Sequence, residues 1–197
     1  MKLRVFKILK KTKVEGPETR YCIWAQGCSH HCKGCYSTHT WSHSSGKLID
    51  INEIINDIKS QQEIEGVTFL GGEPFEQAEA LGEIAFAVKK IGLGVLCFTG
   101  NYLEKLKQDQ KNKKLLENID LLIDGPFEID KVDYSRPWCG SSNQRKRHIS
   151  PQSHIIVHLP SKNLSQPSRN ILPKIERHRS KRVITPQRLL ISYTREF

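Results

Sequence analysis

The 197-residue sequence has no apolar run long enough to span a bilayer. A spanning helix needs about 20 consecutive apolar residues. The longest candidate, 78–100, is cut by Glu79, Glu83, Lys89 and Lys90. A cleavable leader is not expected either. Arg4 and Lys7 interrupt the apolar part of MKLRVFKILKK, and no small-residue cleavage site follows. No internal repeat stands out, and the composition is neither collagen-like nor that of a disulfide scaffold. These lacks leave a soluble, cytoplasmic chain as the expectation, long enough for one core plus an appendage.

Acidic residues are missing between Asp133 and Glu176. Residues 1–143 hold 19 Lys+Arg and 19 Asp+Glu, so the whole formal excess of +10 falls on 144–197. That tail is also rich in Pro, Ser and Asn and includes Arg177-His178-Arg179-Ser180-Lys181-Arg182. Such a segment attracts nucleic acid, an anionic partner or a membrane surface. A solvated, partly disordered extension is the favoured reading, because Tyr193 and Phe197 are its only aromatics for stacking on bases.

The neutral body alternates strand and helix patterns. Strands are expected over 2–9, 20–25, 66–70, 93–98 and 119–123, with a further one over 154–159. Asp50 is placed to cap a helix over 51–62 that turns Ile51, Ile54, Ile55 and Ile58 to one face. Further helical pattern covers 76–91 and about 102–117. Strands spaced by helices predict βα units in a parallel sheet. Right-handed crossovers put the strands' carboxyl ends on one rim, where ligands of such sheets bind. Gly71-Gly72-Glu73-Pro74, Thr99-Gly100-Asn101 and Asp124-Gly125-Pro126 lie at that rim.

Of six cysteines, Cys28, Cys32 and Cys35 fall within eight residues, as C-S-H-H-C-K-G-C. In a reducing compartment such clustering points to metal rather than disulfides. Zinc could complete a closed site with His30, His31, His39 or His43. An iron–sulfur cluster could instead keep one iron free of protein ligands. Spacing leaves both open. Gly71 and Gly72 permit close backbone approach, and Glu73 adds a carboxylate suited to a ligand ammonium. Cys22 and Cys97 read as strand packing, Trp24, Trp41 and Trp138 as packing anchors. Asp124 stays open between a functional contact and turn chemistry. No acid–base or nucleophilic constellation emerges.

The C-x3-C-x2-C loop followed by GGEP resembles the radical S-adenosylmethionine (radical SAM) enzymes. The ordered series G-P-E-T-R (16–20), G-C-S-H-H-C-K-G-C-Y-S-T-H-T-W (27–41), G-V-T-F-L-G-G-E-P (66–74), T-G-N-Y (99–102), I-D-L-L-I-D-G-P-F (119–127) and W-C-G-S-S-N-Q (138–144) is similar to the activating enzymes of anaerobic, class III ribonucleotide reductase. The resemblance covers about 5–145. It implies an α/β fold: a partial (β/α) barrel of the radical SAM type, mostly parallel, over 1–145, with an irregular basic C-terminal extension over 146–197. Cys28, Cys32 and Cys35 would hold a [4Fe–4S] cluster whose fourth iron chelates S-adenosylmethionine. Gly71, Gly72 and Glu73 would contact its methionine end, Gly34, Cys35 and Tyr36 would lie along it, and Thr99 and Gly100 would line the same rim. Reductive cleavage would yield a 5′-deoxyadenosyl radical that takes hydrogen from a glycine of a partner enzyme. A reducing protein such as flavodoxin would supply the electron.

Three departures stand out. Gly34 replaces the aromatic that many radical SAM enzymes carry before the third cysteine, as it does in this subfamily. G-P-E stands at 16–18 where the family usually has G-P-G. Cys139 stands where the family usually has Arg, so any anion contact made by that Arg is in doubt. Two other readings remain: a radical SAM enzyme acting on a different peptide or RNA, and a non-catalytic zinc module with a nucleic-acid-binding tail.

Overall fold

The computed structural model describes residues 1–149. The strand expected over 154–159, and all but the first four residues of the extension 146–197, lie outside them. Strands β1 (Lys2–Thr12), β2 (Arg20–Ala25), β3 (Lys47–Asp50), β4 (Gly66–Gly71), β5 (Gly94–Phe98), β6 (Leu121–Asp124) and β7 (Arg145–His148) form one sheet. Its order is β3-β1-β2-β4-β5-β6-β7. Four helices accompany it among the described residues: α1 (Ile51–Ser60), α2 (Ala78–Lys90), α3 (Leu103–Leu106) and α4 (Lys113–Glu117).

The sheet is mixed, which corrects the expectation of a mostly parallel one. β2, β4, β5 and β6 run parallel. The pairings β1–β2, β1–β3 and β6–β7 are antiparallel. Chain length explains the first of these. Only residues 13–19 join β1 to β2, and a parallel crossover needs about a dozen residues or more. β3 and β7 are the two edges. β7 has no apolar residue, and its Arg145-Lys146-Arg147-His148 sequence suits an edge whose free backbone groups must not recruit another strand.

Strand residues alternate between two cores. Tyr21, Ile23, Val67, Phe69, Val95, Cys97 and Leu122 pack with Ile54, Ile58, Leu81, Ile84 and Val88 of α1 and α2. On the opposite face Leu96, Leu121 and Ile123 meet Cys139, with Phe98 and Trp138 beside them. α1 starts as expected: the Asp50 carboxylate accepts the Asn52 N–H at 2.9 Å, and Ile51, Ile54 and Ile58 are buried. Because β2, β4, β5 and β6 are parallel, their carboxyl ends at Ala25, Gly71, Phe98 and Asp124 share one rim.

Candidate functional site

The cysteine loop grows from the end of β2 and is closed at its base. The Gly27 N–H donates to Thr40 O at 2.8 Å and the Cys28 N–H to Trp41 O at 3.1 Å. Within it, the Cys35 N–H reaches Cys32 O at 3.1 Å, and the Ser37 N–H donates to Cys35 Sγ at 3.3 Å. Cys28 is buried, while Cys32 and Cys35 are half-buried. Burial pushes the Cys28 and Cys32 thiols up. Backbone N–H groups of His30 and His31 at Cys28, and of Phe127 at Cys32, pull the other way. Gly34 has φ +78°, and a Cβ there would lie 2.9 Å from Ile129 Cδ1. A left-handed φ favours glycine here, and a larger side chain would have to push the Ile129 tip aside.

The turn after β4 is zipped onto the root of that loop. The Gly72 N–H donates to Ala25 O and the Glu73 N–H to Gly27 O, each at 2.8 Å. A Cβ on Gly72 would sit 2.1 Å from Gly27 O, and Gly71 has φ +103° with Ala25 O 2.7 Å from its own Cβ position. The close backbone approach read from Gly71-Gly72 is therefore made by residues 25–27 of the chain itself.

Glu73 is buried and fully bonded. Its Oε1 accepts from the Phe75 N–H at 2.9 Å and from Thr99 Oγ1 at 2.8 Å. Its Oε2 accepts from the Gly100 N–H at 2.9 Å and from His30 Nε2 at 3.0 Å. The Glu73 hydrogen bond pushes the His30 pKa up, against its partial burial. Glu73, Thr99 and Gly100, each expected at the rim, thus meet around one carboxylate. Tyr36 turns to other partners: it is exposed, its hydroxyl pairs with that of Tyr134, and its ring packs at 5.7 Å from Phe127.

One bracing residue, Glu76, was not picked out from sequence. Glu76 accepts the Ser29 N–H at 2.7 Å through Oε1 and His43 Nε2 at 2.6 Å through Oε2. It lies one helical turn past Glu73, on the 3-10 turn Pro74–Gln77. That spacing was the available signal. His31 stacks on Trp41 with ring centroids 4.6 Å apart. Asp124 is occupied by the chain: it accepts the Leu103 N–H at 2.8 Å and pairs with Arg145. Cys139 is buried among Leu96, Leu121 and Ile123, so apolar packing fills the place where the family usually has Arg.

Among the described residues, no three His, Cys, Asp or Glu side chains converge closely enough to hold a single metal ion. The donor set, three thiols on one closed loop with backbone N–H groups at their sulfurs, is of the kind that holds an iron–sulfur group and tunes it by hydrogen bonding. No helix among the described residues is long and apolar enough to cross a membrane.

A family described as a 4Fe-4S single cluster domain matches residues 14–147. The chain is 36% identical over 140 residues to the anaerobic ribonucleoside-triphosphate reductase-activating protein of Pasteurella multocida, covering 66% of this chain and 88% of that one. Against the protein of the same name in Escherichia coli K12 the identity is 34% over 146 residues, 69% of this chain and 92% of the relative. Its counterpart in enterobacteria phage T4 is 31% identical over 138 residues, covering 67% and 85%. Among solved structures, QueE from Escherichia coli superposes with a TM-score of 0.44 at 19% identity over 51% of this chain and 54% of that one, too weak a likeness to bear on function. The chain belongs to the family of anaerobic ribonucleoside-triphosphate reductase-activating proteins, the family that its motif series resembles.

Proposed function

We propose that this protein binds a [4Fe–4S] cluster through Cys28, Cys32 and Cys35, binds S-adenosylmethionine at the rim, and installs a glycyl radical on a partner enzyme, the anaerobic ribonucleotide reductase. When bound, the cluster and S-adenosylmethionine supply the chemistry: one-electron cleavage of a sulfonium and removal of a hydrogen atom from glycine. The chain's residues hold, orient and shelter. The loop closed at Gly27 and Cys28 fixes where the thiols start. Glu73 offers, among the described residues, a buried carboxylate at the meeting of the cysteine loop and the rim, and is assigned the ligand's ammonium group. Gly71 and Gly72 shape the turn that carries Glu73, while Thr99 and Gly100 hold its carboxylate by hydrogen bonds. Gly34, Cys35 and Tyr36 are assigned contacts along the ligand, Tyr36 through its backbone because its hydroxyl pairs with Tyr134. Enclosure limits side reactions with water, and side-by-side placement of donor and acceptor replaces a bimolecular encounter. No general base is required, because a hydrogen atom rather than a proton leaves the substrate.

One observation carries this reading: His30, two residues from both Cys28 and Cys32, is bonded to Glu73, so the thiol loop and the carboxylate rim form one site. We further assign 1–145 as the catalytic body, curved as a partial barrel around the rim, with 146–197 as an extension. A flavodoxin-like protein is assigned as electron source and the cytoplasm as location. The test is anaerobic reconstitution followed by reduction with S-adenosylmethionine present. The protein should bind about four irons per chain and release methionine and 5′-deoxyadenosine. Addition of the reductase should give a glycyl doublet in electron paramagnetic resonance. Cys32→Ala should abolish all three; cleavage retained by that variant overturns the cluster assignment.

A further inference from the structure

Glu73 has no free acceptor position. A carboxylate offers about four lone-pair sites, and here all are used: Phe75 N–H and Thr99 Oγ1 on Oε1, Gly100 N–H and His30 Nε2 on Oε2. Three of these donors are built in. Two are backbone amides, and Thr99 Oγ1 is itself fixed by accepting the Asn101 N–H at 3.0 Å. His30 differs. Its side chain is 26% exposed against 2% for Glu73, and it sits on a loop beside His31, whose φ is +46°.

Gly100 adds an independent observation. Its φ is not in the left-handed region, so the backbone does not demand glycine there. What a Cβ on Gly100 would meet first is the imidazole: it would lie 2.7 Å from His30 Cδ2 and 2.9 Å from Nε2. The imidazole therefore fills the hollow over Gly100 and takes the fourth site on the carboxylate at once. One movement of His30 would vacate both, leaving a hydrogen-bond site for an ammonium group and room beside it for the carbon chain that bears it.

We propose that His30 is an internal stand-in for the ligand's ammonium group, seated on Glu73 in the ligand-free protein and displaced when an amino-acid-type ligand binds. This rests on the proposed S-adenosylmethionine site and deepens it. Displacement lowers apparent affinity, because only the fraction of molecules with His30 withdrawn can bind. A protein without the imidazole should bind more tightly, by about tenfold to a hundredfold for one hydrogen bond to a charged group. His30→Phe keeps a ring over Gly100 without the donor, so it should bind more weakly than His30→Ala.

The experiment uses anaerobically reconstituted full-length protein, with iron and sulfide content matched across variants. S-adenosylmethionine is titrated, and binding is read from the change in the reduced cluster's electron paramagnetic resonance spectrum. The expected order of affinity is His30→Ala tighter than wild type, with His30→Phe weaker than His30→Ala. Weaker binding by His30→Ala at equal cluster content overturns the proposal, since His30 would then hold Glu73 in place within the complex. A second measurement needs no variant. In wild-type holoprotein, saturating S-adenosylmethionine should raise the reactivity of His30 towards diethyl pyrocarbonate, relative to His148, as mapped by mass spectrometry. Unchanged or reduced reactivity overturns the proposal. If the wild type shows no spectral response to S-adenosylmethionine at all, the proposed function fails. A wild-type response without the His30 effects removes only this inference.

Discussion

Arg20 is a buried cation held without a carboxylate. Its Nε donates to Thr68 Oγ1 at 2.7 Å, and its terminal nitrogens to Val67 O at 2.7 Å, Gly94 O at 2.9 Å and Pro17 O at 3.4 Å. Burial pulls its pKa down to about 10, yet four oxygen dipoles keep the charge tolerable. Gly16 and Gly66 lack the Cβ that would strike it. Arg20→Ala should cost about 3 kcal/mol or more, by orphaned acceptors and a cavity, read as a lower denaturation midpoint; Arg20→Lys should cost less. The cysteines divide by the same logic. Burial pushes the Cys22 thiol up to about 12 and Cys97 well above its ordinary range. In cluster-free protein, iodoacetamide at pH 8 should therefore label half-buried Cys32 and Cys35 long before Cys22 or Cys97. Early labelling of Cys97 would contradict this packing. The residue scale was also where sequence served unevenly. Glu73 and the thiols could be nominated from sequence because residue type and spacing are local features. Glu76, with its bonds to Ser29 and His43, and the His30–Glu73 bond could not be, because each depends on contacts across 33 to 47 residues.

At the scale of elements, α1 was readable because cap and period agree. Asp50 accepts from Asn52, and the isoleucines recur on one face. Asp50→Ala should lower the Tm by a few degrees. The Asn52 N–H holds the Asp50 carboxyl below its ordinary value. Its contribution is thus complete above the ordinary carboxylate range and fades as pH falls through the depressed value. The Tm gap between wild type and Asp50→Ala should narrow from pH 7 to pH 3; a constant gap would show that the cap acts without its charge. β3 and β7 were not readable. Each is four residues long, too short for alternation to show, and β7 is wholly polar. Backbone pairing with β6 and side-chain anchoring make it a strand: Arg145 pairs with Asp124 and Glu104, and lies over the Tyr102 ring at 4.7 Å. The same contacts decide for Asp124 as a structural residue.

For the whole molecule, the division between neutral body and basic tail needs a refined position. A cut after residue 145 would remove most of β7 from β6, whereas a cut after Ile149 keeps every described strand. Binding of the full chain to a polyanion such as heparin should weaken steeply with salt. Removing 150–197 should abolish most of it, since the remaining body has only Arg145, Lys146 and Arg147 in excess of balanced charge. Unchanged binding would place the attraction elsewhere.

The backbone of 25–27 is bonded to that of 72–73 with no side chain between them. Those contacts owe nothing to iron. The Gly72 and Glu73 amides should accordingly trade deuterium slowly in stripped protein as well as in loaded protein. The receptacle would then be finished before its cargo arrives, and metal assembly would need to organise only the outer arc of the thiol-bearing segment.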